Sequence, residues 1–312
     1  MNIREAKIYF DQQCASLFDK SEAEEIFIRI AEELTSMSTV EIKLNTHLEV
    51  DDAKLNEMIA QLSTQKPLQY ILGYEWFYNL KLVVNEHVLI PRPETEELVR
   101  WILDTIKTTH SSTPTILDIG TGSGCIPIVL KKEIPKAEVA AMDISQTALD
   151  VAMHNALTYA LTIDFIQGDI IDPSFITGKK YDIIVSNPPY ITIPEKAEMN
   201  ERVAAFEPEQ ALFVTNNDPL QFYNAILLFS EKHLADNGTI FLELNRDYSI
   251  HTKQRYDEAG YETVLRKDMY GNNRMLMAKK DLLTFINRSY QHFPTSYSAL
   301  YNYCSYYPFA YT

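Results

Sequence analysis

The sequence predicts an α/β fold: a mostly parallel sheet with helices on both faces, preceded by a small helical bundle. Three observations carry this expectation. From Thr115 onward, short β-rich runs alternate with helical stretches, the pattern of a parallel sheet built by crossover connections. Before that, the chain has no glycine ahead of Gly73 and repeats apolar residues every four positions, as in Ile26, Ile30 and Leu34. Finally, the first β-rich run passes directly into Gly120-Thr121-Gly122-Ser123-Gly124, a strand-to-helix turn of the kind that borders ligand sites in open sheets.

Composition sets the outer limits. At 312 residues the chain can bury a sizeable core and has room for one large domain and a smaller one. A formal charge of -15 argues against a broad electrostatic grip on nucleic-acid phosphates, because that affinity comes from lysines and arginines displacing counterions. Cys14, Cys125 and Cys304 are far apart, with no C-x-x-C pair, so neither a disulfide framework nor a structural zinc is expected. The N-terminus mixes charges early, and no apolar run approaches the ~18 residues of a membrane span. A reducing, cytoplasmic setting is the default.

In chain order, residues 1–73 read as a helical domain. Ser21 followed by Glu24 is a capping-box pattern that starts its second helix. Leu55, Ile59 and Leu62 fall on one face of a later helix, which ends near Lys66-Pro67. Residues 74–94 turn aromatic and β-branched around Asn79, as a β-hairpin linker would. Its exit, Ile90-Pro91-Arg92-Pro93-Glu94-Thr95-Glu96, sets an extended entry in which Thr95 caps a helix from Glu96 to about Thr108. Residues 95–280 form the sheet domain, with strands expected near 115–119, 137–142, 161–166, 182–186, 238–244, 261–267 and 273–279. The last segment, 281–312, holds seven of the nineteen tyrosines and no glycine, and reads as an accessory tail.

Candidate ligand residues then fall at successive strand ends, the edge where open sheets bind ligands. In the glycine turn the missing Cβ atoms let a ligand approach the backbone. Asp118 at the end of the first strand would repel a pyrophosphate but can receive an ammonium group. Asp143, twenty-three residues beyond Gly120, has the separation of a ribose-binding acid, although alone it reads as a helix cap or a surface residue. After the third strand, Asp169 can accept from an adenine amino group and Ile170 can pack on its face, or the pair is a plain turn. The fourth strand delivers Asn187-Pro188-Pro189-Tyr190. Two prolines stiffen this turn and donate no N–H, so the surrounding carbonyls remain available to grip a planar NH2 group. Taken alone, the same tetrapeptide is also a proline-stiffened loop.

Together these residues resemble the class I S-adenosylmethionine-dependent methyltransferases, and within them the protein N5-glutamine methyltransferases that modify peptide chain release factors. The likeness covers roughly residues 20–280. Its marks are Lys66-Pro67-Leu68-Gln69-Tyr70-Ile71-Leu72-Gly73, Leu89 to Glu96, Asp118 to Gly124, Asn187 to Tyr190, and Phe206-Glu207-Pro208-Glu209-Gln210-Ala211-Leu212. The resemblance implies a Rossmann-like seven-stranded methyltransferase sheet with an antiparallel last strand and a helical domain that helps recognise the protein substrate. It implies S-adenosyl-L-methionine on Asp118, Gly120, Thr121, Gly122, Ser123, Gly124, Asp143, Asp169, Ile170 and Asn187. It places the target glutamine of a class I release factor on Asn187, Pro188, Pro189 and Tyr190, with the Tyr190 ring against the flat amide. The sequence departs from the family at Asn245, where a glycine is usual, at Tyr248, where a glutamine is usual, and at Ile170, often a larger aromatic. N-P-P-Y also occurs in N6-adenine DNA methyltransferases, and a non-catalytic S-adenosylmethionine-binding module is a further alternative. A nicotinamide dehydrogenase would leave the tetrapeptide without a role.

Overall fold

The computed structural model describes residues 1–109, 113–175, 177–196, 205–214 and 218–280. The tyrosine-rich tail expected at 281–312 lies outside the described residues.

Five helices open the chain: α1 (Ile3–Cys14), α2 (Lys20–Thr35), α3 (Thr39–Leu44), α4 (Asp52–Ser63) and α5 (Leu68–Leu72). Their apolar stripes close on one another in a cluster that includes Phe10, Phe27, Ile30, Ile42, Leu55 and Ile59. The expected capping box at Ser21 and Glu24 does not form. Asp19 caps α2 instead, accepting from the N–H groups of Ser21 and Glu22. A carboxylate satisfies the same orphan donors as a serine hydroxyl and adds a full charge at the positive end of the helix. The face of α4 is as expected, with Leu55, Ile59 and Leu62 buried.

The hairpin follows as β1 (Tyr74–Phe77) and β2 (Leu80–Val83), paired antiparallel. Tyr78 and Asn79, both at positive φ, make the two-residue turn that matches the twist of the flanking strands. Arg29 of α2 pairs with Glu75 of β1 at 3.1 Å. The next helix, α6 (Pro93–Thr109), starts earlier than expected, because Pro93 occupies a first turn where its missing N–H is no loss. Thr95 therefore sits inside the helix rather than capping it, and its hydroxyl is free for a distant partner.

The sheet contains β3 (Thr115–Ile119), β4 (Glu138–Asp143), β5 (Asp164–Gln167), β6 (Tyr181–Ser186), β7 (Leu234–Glu243), β8 (Tyr261–Lys267) and β9 (Asn273–Lys280). Their order is β5-β4-β3-β6-β7-β9-β8, all parallel up to β7, with β9 antiparallel to both neighbours. The chain builds outward from β3 through β4 to β5 and then returns to place β6 on the opposite side of β3. This reversal opens a crevice at the carboxyl ends of β3 and β6. The regular ladder of β7 resumes only at Thr239, after an irregularity that follows Leu234, which explains why its pattern first becomes legible near 238.

Alternate residues face two apolar layers, as the pleat requires. Ile116, Val139, Ile183 and Phe241 pack with Leu98 and Ile102 of α6 and Ile128 of α7 (Cys125–Glu133). Leu117, Ala140, Ile184 and Ile240 pack on the other face with Tyr223 and Ile226, which lie on a helix spanning Gln221–His233. Among the described residues, no helix is long and apolar enough to cross a membrane.

Candidate active site

A cavity of about 370 Å³ lies at the carboxyl ends of β3, β4, β5 and β6. Of the residues singled out from sequence, it brings together Gly120, Gly122, Asp143, Asp169, Ile170, Asn187, Pro188 and Pro189. Asp118, Thr121, Ser123, Gly124 and Tyr190 are not part of its lining.

The glycine turn is held by its own backbone and by Asp143. The N–H groups of Gly120 and Thr121 both donate to the Met142 carbonyl, at 2.8 and 2.9 Å. Gly122, at φ 53°, donates to Asp143 Oδ2 at 2.9 Å, and a Cβ there would meet nothing within 4 Å. The turn thus presents bare backbone to the cavity. Asp143 Oδ1 accepts from Ser145 N–H at 3.0 Å, so each oxygen holds the loop and keeps a lone pair for a ligand. Burial raises the Asp143 carboxyl above its ordinary value, against the pull of these N–H donors.

Gly124 is constrained by packing. It stands at φ +79°, and a Cβ would lie 3.0 Å from Ala152 Cβ and 3.1 Å from Ile128 Cδ1. It lets α7 approach α8 (Gln146–Thr158). Gly124→Ala is expected to cost about 1–3 kcal/mol from left-handed strain and overpacking, read as a lower midpoint in urea unfolding at unchanged slope.

Asp118 is fully buried beneath the turn, and neither of its oxygens has a hydrogen-bond partner in the structure. Burial pushes its carboxyl up to about 7, against the pull of the neighbouring Thr121 hydroxyl, and the negative charge of Asp143 adds to the push. The nearby Thr121 and Ser123 hydroxyls are buried and unpartnered as well. Such a group of orphaned polar atoms calls for a ligand or an ordered water. At the next strand end, Asp169 Oδ1 accepts from Ile171 N–H at 2.8 Å, which braces the turn and leaves Oδ2 available.

Asn187 lines the cavity at the end of β6, and its Nδ2 donates to Thr95 Oγ1 at 3.2 Å. Thr95 in turn donates to Glu243 Oε2 at 2.7 Å. Burial pushes the Glu243 carboxyl up to about 7. The Tyr190 ring packs on the apolar layer that contains Tyr223, and its hydroxyl reaches Glu243 Oε1 at 3.5 Å. The packing of this ring and its hydroxyl contact brace the turn. Asn245, the departure from glycine, braces the same turn. Its Nδ2 donates to the Tyr190 carbonyl at 3.0 Å and to Glu195 at 2.9 Å.

Other walls went unassigned in the sequence. Glu86, His87, Val88 and Leu89 close one side, and Pro208, Gln210, Ala211 and Phe213 another. An ion pair ties these two segments together, from Arg92 to the buried Glu207, whose carboxylate also accepts from Ile90 N–H. Their signal was present in the quoted blocks at 89–96 and 206–212, without a role. Glu243 carried the same signal as Asp118 and Asp143, an acid at a strand end.

A seven-stranded sheet in this order, with a cavity at the reversal of strand order, is the class I methyltransferase fold. The family described as "Methyltransferase small domain" matches residues 97–206. The catalytic domain of human Mettl16, solved with the MAT2A 3'UTR hairpin 6, shares the fold at 17% identity and a TM-score of 0.50, over 76% of this chain and 85% of that one. A release factor glutamine methyltransferase from Flavobacterium psychrophilum is 41% identical over 281 residues, 88% of this chain and 98% of the relative. One from Bacteroides thetaiotaomicron is 36% identical over 87% of this chain and 98% of the relative. The chain belongs to the release factor glutamine methyltransferase family.

Proposed function

We propose that this protein transfers the methyl group of S-adenosylmethionine to the side-chain nitrogen, N5, of the glutamine in the Gly-Gly-Gln motif of class I peptide chain release factors. Family membership carries the reaction. The residue assignment is supported by one observation above the others: Asn187 and Pro188 line the same cavity as Gly122, Asp143 and Asp169.

The residues present fit the cofactor. The unpartnered Asp118 carboxylate, with the Thr121 and Ser123 hydroxyls beside it, suits the amino-acid end. Asp143 retains lone pairs for ribose hydroxyls, and Asp169 with Ile170 suits an adenine. The bare backbone at Gly120 and Gly122 leaves room for all of these groups. When bound, S-adenosylmethionine supplies an electrophilic methyl on its sulfonium.

An amide nitrogen is a poor nucleophile, because its lone pair is delocalised into the carbonyl. The chain compensates by positioning. Asn187 Oδ1 and the Pro188 carbonyl each accept one N–H of the glutamine, which holds the nitrogen in one orientation and favours its pyramidal form as bonding begins. Pro188 and Pro189 keep the turn rigid, and Tyr190 anchors it through Glu243 and Asn245. Near-attack alignment of this kind supplies on the order of 7–11 kcal/mol. No strong base is required, since the methylated cation is acidic enough to give its proton to water.

We assign residues 1–73 to recognition of the release factor, 74–94 to a linker and 95–280 to catalysis. Exposed Ile8, Val40 and Leu44 on the helical segment support the first assignment. A cytoplasmic setting accords with Cys14 and Cys125, both free thiols.

Labelled S-adenosylmethionine incubated with the full chain should label a release factor, but neither the same factor with its Gly-Gly-Gln glutamine replaced nor DNA. Label on DNA would favour N6-adenine methylation. Label that survives the glutamine replacement would sink the proposed target.

A further inference from the structure

We infer that Glu243, acting through the Thr95 hydroxyl, is a positioning residue that fixes which way round the Asn187 carboxamide sits. The inference rests on the assignment of Asn187 proposed above. A carboxamide has almost the same shape after a half-turn, but the flip exchanges an acceptor for two donors. With its NH2 toward the cavity, Asn187 would confront the N–H groups of a substrate amide with donors of its own.

With Glu243 ionised, the wiring behind Asn187 opposes that flip. Ionised, as it is above about pH 7, the Glu243 carboxylate only accepts, so the single Thr95 hydroxyl proton is then committed to Glu243 Oε2, 2.7 Å away. Thr95 Oγ1 can then only accept from Asn187, and Nδ2 lies 3.2 Å from it. Oδ1 is the atom left for the cavity that Asn187 lines. Glu243 is 2% exposed, and the Tyr190 hydroxyl reaches its other oxygen at 3.5 Å. Water therefore has little access through which to replace Thr95. The three residues come from α6, the end of β6 and the end of β7, so the device exists only in the folded chain.

Thr95→Val preserves the shape and removes the hydroxyl. Its kcat on a release factor is expected to fall about 10- to 100-fold, the loss typical of a displaced positioning group, with the Kd for S-adenosylmethionine within about twofold of the parent. Thr95→Ser, which keeps the hydroxyl, should recover kcat to within about threefold. In an Asn187→Ala background, Thr95→Val should lower kcat by no more than about twofold further, because no carboxamide remains to be oriented. A purely structural role would not produce that coupling. Should Thr95→Val fail to fold, Glu243→Gln tests the same link: its amide can donate to Thr95, releasing the Thr95 proton toward Asn187, and its loss should also vanish in the Asn187→Ala background. A parental kcat in Thr95→Val, or a loss that persists undiminished without the Asn187 side chain, overturns the relay alone. A parental kcat in Asn187→Ala overturns the assignment beneath it.

Discussion

Asn187→Ala is expected to lower kcat on a release factor by about 10²- to 10³-fold, the range found when one preorganised hydrogen-bonding group is removed from an active site. The substitution deletes Oδ1, one of two acceptors that orient the glutamine nitrogen, while the glycine turn, Asp118, Asp143 and Asp169 remain untouched. The Kd for S-adenosylmethionine should consequently stay within about threefold, since a group that acts on the reacting substrate affects turnover rather than cofactor binding. Single-turnover kinetics with a release factor, alongside equilibrium binding of the cofactor, separate the two quantities. Equal losses in both would mean that Asn187 is chiefly a cofactor ligand, and the glutamine would need another holder.

Asp118→Asn should weaken S-adenosylmethionine binding by about 10- to 100-fold and at the same time stabilise the free protein at pH 8 by about 1–3 kcal/mol. Both effects come from a buried carboxylate without a hydrogen-bond partner. Burial raises its pKa from 3.8 to about 7. Between those values the folded protein holds a proton that the unfolded chain has lost. Its contribution to stability is therefore complete below the unfolded value and is lost as pH rises through about 7. A cationic ligand group reverses the preference, because it pairs with the ionised form. Cofactor affinity should rise between about pH 6 and 8 in the parent and stay nearly flat in Asp118→Asn. Urea midpoints from about pH 4 to 8 test the first half and binding isotherms from about pH 6 to 8 the second. Some slope in stability will survive the substitution, since burial also pushes Glu243 up to about 7. An Asp118→Asn protein with parental affinity would place the ammonium elsewhere.

Much of the architecture was legible because its signals are local. The alternation from Thr115 onward located the seven strands of the sheet to within a few residues, since side-chain period and β-branched content act over four to eight positions. The largest miss at a strand start was β7, where Leu234 pairs before the regular ladder begins at Thr239. At helix starts the errors had a different origin. Ser21 and Thr95 are both good caps in isolation, but Asp19 competes for the first and Pro93 pre-empts the second. In each case a neighbour two residues upstream decided which residue met the free N–H groups.

The site divides along the same line. Gly120, Gly122, Asp143, Asp169, Ile170 and Asn187 were recognisable because a strand end, a glycine or an acid declares itself within a few residues, and parallel topology brings all strand ends to one edge. The sequence by itself thus determined the sheet, the edge at which the cavity opens and most of the strand-end residues that line it. Only the tertiary structure decided how Gly124 and Tyr190 are used, the first against Ala152 and the second against Glu243. It also decided that Thr95 stands between Asn187 and Glu243, partners 92 and 148 residues away along the chain. Hydrogen bonds across such separations depend on ångström-scale placement of elements that pack through side chains, and no periodicity or short motif encodes that placement.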